Sequence, residues 1–351
     1  MIPAELLDGL VAETKVNHQV KKLDGVTMFH LVLHSLLGEE KASLRVMEEL
    51  FNSHKFQVAA QMDTTTRFTS IRDRIATINP DFFARLFEGL FDLFSRYLKE
   101  ESAIARYDST MVAISSRLLE RGMRVGSKTD KVQLKYTVGM KGSLPCSVRV
   151  YNTQTALNEN NTIPEAIARD PHSKDCIVVF DRGVDKRAAF VDMASSGQRF
   201  VTRLHTDSAH ITVAERDPGL REKGNLCIYA DIDARLRSGT NKKWTDKTFR
   251  IIKGSLLDTG EEIFFLTNVD DMSAMSIADI YKQRWEIEPF FKFLKQHLNA
   301  THLVARNTNG IQVMIYITLI AALLLIVYKK VNNIGSLKIA RMRFGLQVEM
   351  E

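Results

Sequence analysis

One segment near the end of the chain combines a carboxylate with an aromatic hydroxyl and several cations. On a helical wheel at about 100° per residue, the segment from Ile277 to Leu298 has two different sides. The polar side carries Tyr281, Arg284, Glu288, Lys292 and Lys295. The apolar side carries Ile280, Ile287, Phe290, Phe291, Leu294 and Leu298. This pattern is typical either of an ordinary amphipathic helix or of a helix that presents an acid and cations to an anionic ligand. We expect Pro289 to kink the helix beside Glu288.

Two further carboxylates lie on or next to predicted strands. Asp108 falls within the strand-like run from Ile104 to Ile114. Asp181 follows the apolar run DCIVVF, and Arg182 and Gly183 after it predict a turn. Ligand sites in open α/β sheets form at the carboxyl ends of strands, so the position of Asp181 suits a site. Taken singly, each acid is also explained as a turn cap or a salt-bridge partner.

Taken together, Asp108, Asp181 and Glu288 form a possible metal site. Three carboxylates on rigid elements could hold two hard divalent cations, Mg²⁺ or Mn²⁺, through oxygen ligands. Two such ions about 4 Å apart stabilise the attacking and leaving oxygens of a phosphoryl displacement. The neighbouring Arg284, Lys292 and Lys295 would then bind the phosphates of a nucleic acid.

The same residues resemble a known family. The spacing Tyr281-x2-Arg284-x3-Glu288-x6-Lys295 is similar to the YREK signature of bacterial insertion-sequence DDE transposases, in family four of the insertion sequences. Upstream, the run from Asp108 to Thr110 resembles the first-aspartate motif of that family. The run from Asp181 to Gly183 resembles its second motif, although Val184 stands where the family usually has an aromatic residue. The resemblance covers about residues 103 to 328.

This resemblance implies a fold and a reaction. The fold would be RNase H-like: a mixed five-stranded sheet flanked by helices, with Asp108 on the first strand, Asp181 after the fourth and Glu288 on a later helix. The reaction would be metal-dependent cleavage at transposon ends, followed by attack of the freed 3′-hydroxyl on target DNA. Tyr281, Arg284 and Lys295 would contact DNA phosphates. Pairing of two transposon ends would require a homodimer on DNA.

The resemblance, together with the order of the predicted elements, implies a domain organisation. We expect a helical N-terminal domain over residues 1–101, which could bind DNA. The RNase H-like core would span residues 102–198 and 269–335, interrupted by a β-rich insertion over 199–268 and followed by a tail over 336–351. Within the core, Thr162 to Arg169 predicts a short helix capped by Thr162.

The β-rich insertion contains a basic stretch, Ala234 to Lys253, with Trp244 at its centre. Trp244 could stack on an unpaired DNA base at the tip of a β-hairpin. An exposed indole on a solvated hairpin explains the same pattern.

Composition sets broad limits on the class of protein. The chain has 351 residues, is 45% hydrophobic and carries a formal net charge of +6, which suits a globular protein with an anionic partner. Its three cysteines form no CxxC pair, which excludes a disulfide scaffold and favours the cytoplasm. Val313 to Tyr328 is almost wholly apolar but shorter than the ~20 residues of a spanning helix. It predicts a buried core helix, with a membrane segment as the alternative.

Three other functions stay open from the sequence. A metal-dependent nuclease that cuts DNA without joining it would carry the same acids. A catalytically inactive DNA-binding protein would keep the basic residues, and a membrane-associated protein would use the apolar run.

Overall fold

The N-terminal part of the chain is helical. The computed structural model describes residues 2–38, 42–114, 123–124, 132–239, 242–298, 304–305 and 307–350. Its first six helices are α1 (Ala4–Thr14), α2 (Gly25–Gly38), α3 (Leu44–Asn52), α4 (His54–Ala59), α5 (Phe68–Thr77) and α6 (Pro80–Tyr97). Helix α6 begins at Pro80 because the Asn79 side chain accepts a hydrogen bond from the Asp81 amide and proline suits the first helical position.

A single mixed sheet forms the centre of the molecule. Its strands are β1 (Ile104–Ile114), β2 (Met123–Arg124), β3 (Val132–Lys141), β4 (Leu144–Tyr151), β5 (Ile177–Val179), β6 (Arg199–Leu204), β7 (His210–Arg216), β8 (Glu222–Lys223), β9 (Leu226–Leu236), β10 (Phe249–Leu256) and β11 (Glu262–Thr267). The spatial order is β2-β3-β1-β5-β6-β11-β10-β9-β7, with β4 also on β3 and β8 on β9. Strands β1, β5 and β6 are parallel to one another, and the other pairings are antiparallel.

The sheet is larger than the five strands that the resemblance implies. Strand β6, which we placed in the insertion, pairs in parallel with β5. Strand β11 then pairs with β6, so the strands of the insertion continue the central sheet. The physical reason is that β6 would otherwise be an exposed edge, and an edge strand offers its free N–H and C=O groups to another strand.

Helices cover both faces of this sheet. On one face, α7 (Glu159–Arg169) and α8 (Arg187–Ser195) pack their apolar side chains on the sheet. Helix α7 starts earlier than predicted, because Asn158 caps it and Thr162 lies buried inside the helix. On the other face lie α9 (Ala274–Lys282) and α10 (Ile287–His297).

The segment from Ile277 to Leu298 is not one helix, so the single helix that we predicted is wrong. A 3₁₀ turn, Gln283–Glu286, separates α9 from α10. Pro289 lies in the first turn of α10, where a missing N–H breaks no intrahelical hydrogen bond. A 3₁₀ turn winds about 120° per residue instead of about 100°, so one α-helical wheel cannot describe both Tyr281 and Glu288.

The apolar run that raised the membrane question is a core helix, α11 (Thr308–Val331). Among the described helices only α11 is long and apolar enough to cross a membrane, and most of its residues are buried inside the protein. It packs against α2, α5, α6, β4 and the last helix, α12 (Leu337–Met350). All six N-terminal helices share one hydrophobic core with α10, α11 and the sheet.

A buried ion pair fixes the insertion strands to the start of α9. Arg250 on β10 donates to both carboxylate oxygens of Asp231 on β9, at 2.9 and 2.6 Å. The same guanidinium donates to the carbonyls of Val269 and Met272, just before α9. Both side chains are at most 4% exposed.

We expect D231A to lower the free energy of unfolding by about 3–5 kcal/mol, because it leaves the Arg250 charge buried without its partner. Asp270 is a matched control, since it forms an exposed pair with Arg216. D270A should cost less than about 1 kcal/mol. Urea denaturation measures both values, and equal losses would contradict this role of the buried pair.

Candidate active site

The parallel register brings two of the predicted acids to one edge of the sheet. Ile104 pairs with Ile177 and Arg106 with Val179, so the same register continued by two residues sets Asp108 level with Asp181. Neighbouring strands lie about 4.8 Å apart. Tyr107 packs in the core under α7 and α8, and the alternation of a strand therefore directs Asp108 toward α9 and α10.

Asp108 and Glu288 line the same cavity. The cavity has a volume of about 410 Å³. Its lining residues are Asp108, Ser109, Thr110, Glu288, Phe291, Lys292, Lys295 and Gln296. Lys292 and Lys295 are exposed, so two cations and two acids share a space that is open to solvent. Four of the predicted site residues are thus brought together.

Arg284 lies between these acids. Its Nη2 donates to Glu288 Oε1 at 2.9 Å, and its Nη1 is 4.0 Å from Asp108 Oδ2. The side chain is only 9% exposed, and its Nε has no hydrogen-bond partner among the described residues. Burial acts to lower the pKa of Arg284, but the neighbouring Tyr281 and the carboxylates outweigh it, so the pKa is raised. The guanidinium is therefore the local counter-charge of the acids.

A second ion pair holds the turn that carries Arg284. Arg106 precedes Asp108 by two residues on the same face of β1, and it is 3% exposed. It forms an ion pair with Glu286 in the 3₁₀ turn and donates a hydrogen bond to the carbonyl of Gly142. The turn is thereby fixed to the strand that carries Asp108.

Tyr281 reaches Asp181 from the core. We predicted Tyr281 on the polar side of a helix, but its ring is buried, 4% exposed, and packs against Phe265. Only the hydroxyl reaches the site, where it donates to Asp181 Oδ1 at 3.3 Å. Burial and the neighbouring Asp181 raise the pKa of Tyr281 to about 12, so the hydroxyl keeps its proton and remains a donor.

The environment of Asp108 disfavours its negative charge. Burial raises its pKa to about 6, and Glu159 and Asp181 add to this increase. The Ser109 amide and Arg284 act in the opposite direction without cancelling it. A bound cation would supply the missing compensation.

The three carboxylates fit a hard divalent cation in chemistry, because all their donors are oxygens. Their present contacts are with other groups. Glu288 binds Arg284, and Asp181 accepts from Tyr281. Within the described ranges, no three acid, histidine or cysteine side chains are close enough to one another to hold one ion. A cation shared by Asp108 and Glu288 must therefore compete with the guanidinium.

Trp244 is not brought to the acids. It lies in the hairpin between β9 and β10, bridged to Arg237 and 40% exposed. When the pairing is followed across the sheet from β5 to β9, Asp231 lies at the same level as Asp181. Four strand spacings separate the two residues, which corresponds to about 19 Å. Arg237 lies six residues further along β9, about 20 Å toward the opposite edge. Any DNA contact of Trp244 is therefore outside the cavity of its own chain.

The residues around the loop after Asp181 were not among the predicted site residues. Glu159 and Asn160, in the first turn of α7, contact that loop. The signal was present, since Asn158 is as good an N-cap as Thr162. Choosing Asn158 would have placed both residues in the first turn.

We expect D108N to stabilise the protein at pH 8. The folded-state pKa of Asp108 is raised from 3.8 to about 6, so ionisation costs the folded state about 3 kcal/mol once the pH exceeds 6. The gain from D108N should therefore be about 3 kcal/mol at pH 8 and fall toward zero below pH 4. Urea unfolding at several pH values measures it, and a loss of stability at pH 8 would contradict the assigned environment.

Comparison with known proteins identifies the family. The sequence model of the family described as Transposase DDE domain matches residues 104–324, more than half of the chain, which include all three acids. The chain is 29% identical to y4zB of Sinorhizobium fredii over 44% of this chain and 43% of that protein. It is 26% identical to the protein of insertion sequence element IS4SA from Synechocystis, over 70% of this chain and 65% of that protein.

A third relative, from insertion sequence element IS5377 of Geobacillus stearothermophilus, is 25% identical over 66% of this chain and 58% of that protein. The names of all three relatives include the word transposase. The matched region covers less than two thirds of each relative. Since the family match spans the strand of Asp108, the turn of Asp181 and the helix of Glu288, the chain belongs to the DDE transposase domain family.

Proposed function

We propose that this protein is a DNA transposase that cleaves transposon ends and joins the freed 3′-hydroxyl to target DNA. One observation carries the proposal: Asp108 and Glu288 line one cavity with Lys292 and Lys295, and the register sets Asp181 level with Asp108. Acids that suit metal ions lie beside cations that suit phosphates, which is what phosphoryl transfer on DNA requires.

The fold supports the same proposal. Apart from the two-residue strand β2, the first five strands lie in the order β4-β3-β1-β5-β6, with β5 and β6 parallel to β1. We propose that these five strands are the RNase H-like core of the domain. On this assignment the insertion begins after Leu204 and not at residue 199, because β6 belongs to the core.

The acids would act through divalent ions. Asp108, Asp181 and Glu288 would hold two Mg²⁺ or Mn²⁺ ions, which supply charge stabilisation for the attacking and leaving oxygens. The family is generally dependent on divalent metal ions. Tyr281 orients the Asp181 carboxylate by its hydrogen bond, and Lys292 and Lys295 bind the DNA backbone from the open side of the cavity.

Arg284 has a choice of anionic partners. Its guanidinium now donates one hydrogen bond to Glu288 and faces Asp108, and a DNA phosphate would offer it two acceptor oxygens. We propose that DNA binding draws Arg284 onto a phosphate and frees both carboxylates. DNA binding and cation binding would then favour each other, as linkage requires.

The remaining roles rest on the sequence pattern and on the resemblance. We propose that the protein acts in the cytoplasm as a homodimer on transposon-end and target DNA. The N-terminal helices and Trp244 would contact DNA outside the cavity.

The decisive test uses linear duplexes that carry the ends of the element that encodes this chain, with Mg²⁺ and a target plasmid. We expect cleaved ends joined to target DNA. E288Q should lose both products by more than about a hundredfold, since residues that only support metal ligands are worth about 10–100-fold. D175N, an exposed acid just before β5 at the opposite edge of the sheet, should behave like the parent.

The products separate the alternatives. Cleaved ends without joined products would indicate a nuclease. Equal activity of E288Q and the parent would contradict an active site at Glu288. DNA binding without any cleavage would indicate an inactive member of the family.

We expect R284M to bind Mn²⁺ about tenfold more tightly than the parent when DNA is absent, because the acids lose a competing cation. Electron paramagnetic resonance measures free Mn²⁺ directly. K282M removes an exposed cation of the same segment and should change the affinity much less. Adding end DNA should tighten Mn²⁺ binding by the parent but not by R284M. Weaker binding by R284M would show that Arg284 does not compete with the ions.

A further inference from the structure

We propose that the first turn of α7 is a positioning element for the second catalytic aspartate. This turn contains Glu159 and Asn160, and both residues contact the loop from Asp181 to Lys186. These contacts hold Asp181 in its position beside Asp108. The inference rests on the proposed function, in which Asp181 is a metal ligand.

Asn160 binds the far end of this loop with both halves of its amide. Its Oδ1 accepts from the backbone amides of Asp185 and Lys186, at 2.8 and 2.7 Å. Its Nδ2 donates to Asp185 Oδ1 at 2.7 Å. Asn158 caps the helix by accepting from the Asn160 amide at 2.9 Å, which orients the turn. One side chain thus satisfies two backbone N–H groups that have no strand partner.

Glu159 packs against the middle of the same loop. A Cβ at position 183 would overlap Glu159 Oε2, so the carboxylate lies directly over the backbone of Gly183. Because this oxygen ends a flexible side chain, a larger residue at position 183 would displace the Glu159 carboxylate from the loop.

The turn is itself tied to the sheet by a buried cation. Lys135 on β3 is 3% exposed. Its Nζ donates to the Leu157 carbonyl at 3.1 Å and lies 3.9 Å from Glu159 Oε1. Lys135 pairs across the sheet with Met111 on β1, the strand that carries Asp108. Lys135 therefore ties the turn of α7 to β3, the neighbour of that strand.

The near end of the loop has its own anchors. Thr202 Oγ1 donates to the Asp181 carbonyl at 3.3 Å, and the Val184 amide donates to the same carbonyl at 3.3 Å. Val184 is buried in the core under α7 and α8. The loop is thus held at Asp181 by the sheet and at Asp185 and Lys186 by Asn160. Without the Asn160 side chain, Asp185 and Lys186 lose their hydrogen bonds to α7. The Asp181 carboxylate can then move away from its position beside Asp108.

The test compares N160A with N161A in the full-length protein. Asn161 is the neighbouring exposed amide, and it donates to the Thr155 carbonyl instead of the loop. We expect N160A to lower kcat for cleavage of end DNA at least about tenfold, because small misplacements of reacting groups are costly. The KM for DNA should stay within about twofold, and the Mn²⁺ concentration for half-maximal cleavage should rise. N161A should match the parent in all three.

Two further readouts separate positioning from general loss of structure. Hydrogen exchange of the Asp185 and Lys186 amides should quicken in N160A and not in N161A. The double variant N160D/D185N keeps an acceptor for both amides and reverses the direction of the side-chain hydrogen bond, so it should restore kcat to within about threefold of the parent.

The outcomes are decisive in either direction. Equal kcat for N160A and N161A, or a double variant as impaired as N160A, would overturn the role of the turn. E288Q serves as the reference for the proposed function. If E288Q is inactive while N160A matches the parent, only the positioning role fails. If E288Q is active, the proposed function fails.

Discussion

The parallel pairing of β1 with β5 is the constraint on which the site depends. It sets Asp108 level with Asp181, although 72 residues separate them in the chain. Because side chains alternate along a strand, a slip of one residue would turn Asp108 into the core under α7 and α8 and bring Tyr107 to the cavity. The buried neighbours of both strands make that slip expensive. The register of an interior strand pair thus fixes where the candidate site lies.

Charge balance is the second constraint. Burial beside other acids raises the pKa of Asp108 to about 6, and Arg284 Nη1 lies 4.0 Å from its carboxylate. Arg284 is held in place by the 3₁₀ turn, and Arg106 fixes that turn to β1 through Glu286. Tyr281 and Glu288 lie on the two sides of this turn. The Tyr281 ring is buried in the core, whereas the Glu288 side chain is exposed to solvent.

Much of this arrangement is predictable from the sequence. The apolar periodicity of α6, the core position of α11 and the strand that carries Asp108 follow from local pattern alone. We predicted the three acids as metal ligands from their order and from the resemblance of the spacing around Glu288 to the family signature, and this role stays a prediction. The buried ring of Tyr281 was not predictable, because a wheel assumes an unbroken helix and the 3₁₀ turn has no strong local signal.

Other features depend on contacts between distant parts of the chain. The sequence of β6 has the same strand-like pattern as the strands that follow it. Its central position in the sheet becomes clear only from its parallel pairing with β5. Trp244 looks like a site residue in a basic stretch, but the alternating strand directions carry its hairpin toward the opposite edge. The hydrogen bonds of Asn160 to the loop after Asp181 join residues that are 25 apart in the chain. They could be predicted only if Asn158 was identified as the N-cap of α7.

The most direct test of the account is the anomalous diffraction of Mn²⁺ in crystals of the protein bound to end DNA. The account predicts ions about 2.1–2.4 Å from carboxylate oxygens of Asp108, Asp181 and Glu288, with Arg284 on a DNA phosphate. Manganese bound without Asp181, or an Arg284 guanidinium still paired with Glu288 beside the bound DNA, would contradict it.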